Sequence, residues 1–441
     1  MSKVVLFADA MTSAVQKIGE ITKGVPAVMI RDMSGRIRVA INETRAGIPP
    51  VILTALEKAI VELGAYAAPP GSEILCSDEL FDPDSVFNNP DVLDFCPDLN
   101  GPTVRLLDRT VVGQDWLRSD RVPPAASAAP RIAFYGIKGG VGRSTAMAMA
   151  AHDLAKGGKR VLVVDMDLES PGLSGLLLPS DQVPDYGLVD WFVEDALGQG
   201  PAVFDRLTAV SPLSANTTGE IRVAPAIGSD LKYYVSKLSR VYTDIGSEAG
   251  PVRFIDRAIR IVQQLEERHR PDVVLIDSRA GLHDLAAVSI VGIADYSFLF
   301  ASGTDATWQG YTALFSHWKA FPEVARAIRE RLCVVYALFP ETDQTARNQR
   351  FIEHSYSLFL ETLYDEIEPP TDLNIPEQDR FTFDQHDSTA PHYPWKIKWS
   401  GRFQEFSGSM IDQGVLDDLD ITGAFGEFLA RVRPLAERSQ A

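Results

Sequence analysis

The chain has 441 residues, enough for two or three domains, and with 45% hydrophobic residues it can bury a sizeable core. Its net charge of −18 argues against a broad, non-specific hold on nucleic acid, which needs a positive surface. The three cysteines, Cys76, Cys96 and Cys333, are odd in number and lack metal-ligand spacing, which points to a reducing, cytoplasmic setting, and no apolar stretch reaches the length of a transmembrane span.

Residues 1–118 alternate strand and helix signals and predict a small α+β domain. Val4-Val5-Leu6-Phe7 predicts a strand, not a signal peptide. A helix is expected over 11–21, a hairpin from 27–30 and 37–41 across Met33-Ser34-Gly35, a helix over 52–63 and a strand over 103–107. No chemistry is legible in this part. Cys76 and Cys96 are too far apart for a metal knuckle, and the first histidine is His152. Partner recognition or support of the fold is the expected role. Residues 119–130, dominated by proline, alanine and serine, predict a linker.

Residues 131–135 form an apolar run that predicts a buried strand. It leads into Ile137-Lys138-Gly139-Gly140-Val141-Gly142-Arg143-Ser144-Thr145. The pattern is close to G-x-x-x-x-G-K-[ST], in which glycines let backbone N–H groups wrap phosphates, the lysine reaches the outer phosphates and the hydroxyl residue holds Mg²⁺. Here Ile137 stands in place of the first glycine and Arg143 in place of the lysine, while Lys138 adds a second positive charge. A helix over 144–156, rich in Ala, Met and Leu, follows and is stopped by Gly157-Gly158. Phosphates would then lie at a helix N-terminus, where free N–H groups and the dipole favour anions.

The next strand, 160–164, ends in Asp165-Met166-Asp167, and a later one, 273–276, ends in Asp277. Both place carboxylates at the C-terminal edge of a parallel sheet, where ligands bind in open α/β folds. A carboxylate behind a buried apolar run needs water or a cation, and Mg²⁺ arriving with a nucleotide is the expected one. Further strands at 221–224, 296–300 and 333–338, with a helix over 254–267, predict a mostly parallel sheet with helices on both faces. The Pro171-Gly172 and Gly175 positions in 168–179 leave a switch loop and an ordinary loop both open.

Lys138 to Thr145, the Asp165-Met166-Asp167 segment and Ile276-Asp277-Ser278 together resemble the deviant phosphate-loop ATPases of the ParA/MinD family, over about residues 131–340. The resemblance implies ATP and Mg²⁺ as ligands and an ATP-dependent homodimer. In it, Lys138 matches the signature lysine that reaches the partner's nucleotide. Gly139, Gly140, Val141, Gly142, Arg143, Ser144 and Thr145 match the nucleotide-binding loop. Ser144 matches the Mg²⁺ ligand, Asp165 the aspartate near the metal, Asp167 the one that orients the attacking water, and Asp277 the carboxylate of the second motif strand. Arg143 departs from the family's lysine. Its planar fork keeps the charge but is larger, so slower hydrolysis is expected while binding is retained. The scattered cysteines do not suit the iron–sulfur relatives, the tyrosine-free tail does not suit the tyrosine kinases, and a single loop does not suit the arsenite-pump ATPases.

Residues 341–441 are expected to be an extension packed on the ATPase core. Tyr393 to Arg402 alternates bases with aromatics; the reading preferred is a strand with Trp395, Ile397 and Trp399 inward, over an anionic-partner surface. His386, Asp387 and His392 are read as loop residues in preference to a metal cluster. Phe425, Phe428, Leu429 and Val432 fall at helical spacing and predict packing on the protein body, not a membrane helix. The expected function is a slowly hydrolysing ATPase that acts as a nucleotide-dependent dimerisation switch, with a protein partner recognised through residues 1–118. Two alternatives stay open: a nucleotide-binding regulatory module with little hydrolysis in a bacterial conflict or signalling system, and a DNA-cargo partitioning ATPase.

Overall fold

The computed structural model describes residues 4–98, 101–118, 129–247, 250–365 and 380–437. Most of the expected linker, 119–128, lies outside the described residues. The chain divides into two compact units, one of Met1–Arg118 with Phe315–Ala327 and one of Ser119–Leu314 with Ile328–Ala441.

The first unit is built on strands β1 (Ala27–Arg31), β2 (Ile37–Ile41), β3 (Ile74–Cys76), β4 (Val92–Phe95) and β5 (Val104–Asp108), in the order β3-β2-β1-β5-β4. β1 and β2 form the expected antiparallel hairpin, while β1 pairs with β5 in parallel. Helices Phe7–Ile21 and Pro50–Val61 accompany the sheet, which makes the unit α+β. The strand expected at 4–7 is not formed. Phe7 opens a helix, and Val4, Leu6 and Phe7 remain 77%, 63% and 51% exposed, so no sheet edge rewards extending them. Residues Phe315–Ala327 complete this unit, where the Trp318 indole N–H donates to the Trp116 carbonyl at 3.0 Å.

The second unit holds an eight-stranded sheet. Its strands are β6 (Arg131–Gly136), β7 (Arg160–Asp165), β8 (Ala209–Val210), β9 (Glu220–Ala224), β12 (Val273–Asp277), β13 (Tyr296–Ala301), β14 (Leu332–Phe339) and β15 (Trp395–Lys398); a separate hairpin pairs β10 (Ile245–Ser247) with β11 (Gly250–Val252). The order is β15-β14-β13-β6-β12-β7-β9-β8. All pairings are parallel except β8 with β9. Both faces are covered, which is why the central strands read as continuous apolar runs. Alternation along β12 sends Val273 and Leu275 to one core, with Ile132, Phe134, Val161 and Val163, and sends Val274 and Ile276 to the other, with Ala133, Leu162 and Val164.

One face is roofed by the helices Arg143–Lys156 and Asp418–Leu435. Small side chains at Ala146, Ala148, Ala150 and Ala151 let the first of them pack closely, with 146–152 buried. The second packs Phe425, Phe428, Leu429 and Val432 into the same core, and Phe428 meets the rings of Phe134, Phe298 and Phe300 edge-on. Two ion pairs tie the helices together: Lys156 Nζ to Asp418 at 2.6 Å and Arg433 Nη2 to Asp153 at 2.7 Å. The other face carries Phe254–His269 and the segment around Leu285 to Ile293. Among the described residues no helix is long and apolar enough to cross a membrane.

Candidate functional site

β6, β7 and β12 lie side by side, so the loop after β6 and the aspartates ending β7 and β12 come to one edge of the sheet. Asp277 is in register with Asp165 across the β12–β7 pair. The loop turns through Gly140 at φ 75° and Gly142 at φ 76°, the left-handed region that glycine adopts without cost, and the helix begins at Arg143. Its first N–H groups therefore have no intrahelical acceptor. A Cβ built on Gly139 or Gly140 would meet no atom within 4 Å, so the concave side of the loop is open. Ile137, where the motif has glycine, is accommodated by Gly310: a Cβ there would clash with Cγ2 of Ile137.

The charged groups converge below the loop. Arg143 Nε donates to Asp277 Oδ1 at 2.9 Å, and its Nη2 donates to Asp167 Oδ2 at 3.1 Å. Ser144 Oγ donates to Asp277 Oδ2 at 2.7 Å. The backbone N–H of Asp167 donates to Asp165 Oδ1 at 3.1 Å. Asp165, Asp167 and Asp277 are all buried. Burial, followed by the negative charges of Asp277 and Asp167, pushes the Asp165 carboxyl well above the usual carboxylate range. Burial also raises Asp167, against the opposing pull of the Arg143 guanidinium. Three buried polar atoms of this cluster have no hydrogen-bond partner: Asp165 Oδ2, Asp167 Oδ1 and Arg143 Nη1. Lys138, by contrast, is exposed.

A cation fits this donor set. Among the described residues no group of three or more His, Cys, Asp or Glu is arranged to cage a metal ion. Mg²⁺ bound with a nucleotide does not need one, since it takes one or two protein oxygens and fills its octahedron with phosphate and water. The Ser144 hydroxyl and the Asp277 carboxylate supply those two, and the orphaned oxygens of Asp165 and Asp167 stand close by in sequence and register.

Beside the loop lies a cavity of about 240 Å³. Gly140, Gly142 and Thr145 form one wall, and Leu338, Lys398, Trp399 and Phe403 contribute to the other. Leu338 has φ 56°, a rare conformation for leucine, and the β14–β15 register shifts between Tyr336 and Phe339. A bulge of this kind re-aims side chains next to functional sites.

Residues 132–334 match the family model described as the CobQ/CobB/MinD/ParA nucleotide binding domain. The match spans a little under half of the chain, and it is this part that is similar to that family. Among solved structures, the ParA family ATPase from Chlorobium tepidum TLS is 15% identical, over 69% of this chain and 99% of that chain, with a TM-score of 0.43. The MinD cell division protein of Aquifex aeolicus is 15% identical, over 70% of this chain and 99% of that chain, with a TM-score of 0.40. Cobyrinic acid a,c-diamide synthase from Mycobacterium smegmatis, solved with bound ADP and magnesium, is 17% identical over 55% of this chain and 86% of that chain, with a TM-score of 0.37.

Within residues 132–334, the structure brings Arg143, Ser144, Asp167 and Asp277 into one hydrogen-bonded set, with Asp165 attached through the Asp167 backbone. Gly140, Val141, Gly142 and Thr145 face the cavity, and Lys138 is exposed. Three features were not legible beforehand. Trp399, expected to pack inward, is 47% exposed and lines the cavity, because β15 ends at Lys398 and the next residues turn away. Trp395 and Ile397 do pack against the sheet. The second feature is Glu169, two residues past Asp167, which pairs with Arg279 and accepts from the Tyr242 hydroxyl at 3.2 Å, so the loops after β7 and β12 are joined. The third is Gly310, whose partner Ile137 was visible only as a missing glycine. His392 is buried, with its ring nitrogens bonded to the Tyr364 hydroxyl and the Gln385 carbonyl.

Proposed function

We propose that this chain binds ATP with a divalent cation on the 137–145 loop, hydrolyses it slowly, and uses occupancy of that site as a dimerisation switch. The observation that carries this reading is the joining of loop and strand ends: Ser144 and Arg143 both bond Asp277, and Arg143 also bonds Asp167. Loop N–H groups would take the phosphates, with the base of the nucleotide in the adjoining cavity against Trp399. Ser144 and Asp277 would hold the cation, which when bound neutralises phosphate charge. Asp167 is assigned the positioning of the attacking water, and its raised proton affinity suits a group that holds a water proton. Lys138 is exposed and therefore available to a second copy.

The tests are direct. Fluorescent ATP should bind in the presence of Mg²⁺, phosphate release should be slow and lost in Asp167→Ala, and light scattering should show an ATP-dependent dimer that Lys138→Ala abolishes. A chain that stays monomeric with saturating ATP and Mg²⁺ would sink the switch.

A second reading, a nucleotide-binding regulatory module with little hydrolysis, is favoured by one specific observation. Arg143 engages Asp167, the residue assigned to orient water. If the guanidinium keeps that contact with nucleotide bound, Asp167 is not free for its task. Phosphate release by the wild type no faster than by Asp167→Ala would select this reading. Residues 1–118 are assigned to partner recognition, tested by whether their removal abolishes complex formation while nucleotide binding survives.

A further inference from the structure

Arg143 does more than replace a lysine. Its side chain is 10% exposed and bridges two carboxylates, Asp277 at the end of β12 at 4% and Asp167 in the loop after β7 at 9% side-chain exposure. Both ion pairs of these aspartates among the described residues run to this one guanidinium. Asp277 is filled on both oxygens, Oδ1 by Arg143 and Oδ2 by Ser144. Those are the oxygens a divalent cation would need.

A guanidinium and a divalent cation cannot share the same carboxylate oxygens, since their charges repel at contact distance. Lysine brings its charge to one point, whereas the planar fork of arginine reaches two carboxylates through separate nitrogens. Taking Arg143 away with nothing in exchange leaves Asp165, Asp167 and Asp277 buried without a counter-charge in contact, and stranding one member of a buried pair is strongly unfavourable. Phosphates on the loop offer Arg143 a second, bidentate partner. The carboxylates it leaves are then open to a cation.

We propose that Arg143 is a built-in occupant of the divalent-cation position. It closes the Asp167–Asp277 pair in the nucleotide-free protein, and must move to the phosphates before a cation enters. Nucleotide and cation therefore load together, and neither loads well alone. This deepens the reading of the loop as an ATP site, but its first test does not depend on that reading.

The test uses the full chain and Mn²⁺ as the probe, with free Mn²⁺ read by electron paramagnetic resonance. Without nucleotide, Arg143→Ala is expected to bind Mn²⁺ at least about tenfold more tightly than the wild type, a difference of roughly 1.4 kcal/mol. Arg143→Lys is expected to fall between them, and it serves as the informative variant if the alanine form fails to fold. Equal Mn²⁺ binding by the wild type and the variants overturns the proposal. Adding a non-hydrolysable ATP analogue should raise the Mn²⁺ affinity of the wild type by at least about tenfold. If the analogue changes nothing while the wild type and Arg143→Ala still differ, the occupant role stands and the ATP reading falls.

Discussion

The Ser144 hydroxyl donates to Asp277 Oδ2 at 2.7 Å, which joins the start of the loop helix to the end of β12. Ser144→Ala is expected to weaken binding of fluorescent ATP with Mg²⁺ by about 10- to 100-fold, the scale of one charge-assisted hydrogen bond together with a lost metal contact. Ser144→Thr should retain most of the affinity. Titrations with and without Mg²⁺ check this: a variant that loses as much affinity in EDTA as in Mg²⁺ would show that the hydroxyl serves the phosphates only.

Trp399 stands half-exposed on the cavity wall opposite Gly140 and Gly142. Trp399→Ala should raise the dissociation constant for ATP about 5- to 20-fold, within the range of a single aromatic stacking contact, and leave inorganic triphosphate binding unchanged. Equal losses for ATP and triphosphate would place the base elsewhere.

Asp165 is a buried carboxylate beside two others, and its proton affinity is raised by burial first and by Asp277 and Asp167 after that. The native state thus holds this proton more tightly than the unfolded state. Below the unfolded value, about 4, neither state carries the charge and no cost arises. As pH rises from there towards the folded value, the unfolded state ionises while the native state keeps its proton, and stability falls. Asp165→Asn should therefore stabilise the nucleotide-free protein by about 1 kcal/mol at pH 7 and by almost nothing below pH about 3.5. Urea midpoints across that range measure it, and a gain independent of pH would refute the electrostatic cause.

Gly310 is the compensation for Ile137. Gly310→Ala places a methyl group against Ile137 Cγ2 and should cost about 1–3 kcal/mol, with weaker nucleotide binding as the loop shifts. Ile137→Ala in the same chain should recover most of the loss. A double-mutant cycle reads the coupling, and strict additivity would mean that the two positions do not meet.

Phe428 is fully buried against Phe134, Phe298 and Phe300. Phe428→Ala should cost about 3–5 kcal/mol and lower the thermal midpoint of the second unit. A surface control, Leu419→Ala, at 81% exposure, should change little.

What could be read from the residues alone follows from what the chain encodes locally. Apolar runs ending in Asp165, Asp167 and Asp277 had to be strands with carboxylates at one edge, because both faces of β7 and β12 are covered. The glycines at 140 and 142 announced a turn that only they adopt easily. The direction of the Arg143 side chain was not readable, since a long side chain chooses among rotamers by the charges around it. Nor was Leu338, whose left-handed backbone and bulge are imposed by pairing with a strand more than fifty residues later. The alternation of 393–402 led correctly to Trp395 and Ile397 in the core, but the strand stopped one residue too soon for Trp399 to follow.

The cavity beside the loop also has a history in time. Gly140, Gly142 and Thr145 leave the ribosome long before Lys398, Trp399 and Phe403, which form the facing wall. A growing chain thus carries its phosphate loop early and completes the pocket late, when β15 adds to β14 and Phe428 covers the sheet. Stalled chains ending before Trp395 are expected to leave labelled ATP unbound. Half-made copies would then neither draw on the nucleotide pool nor signal from it, and competence to respond would arrive only with the closing strand.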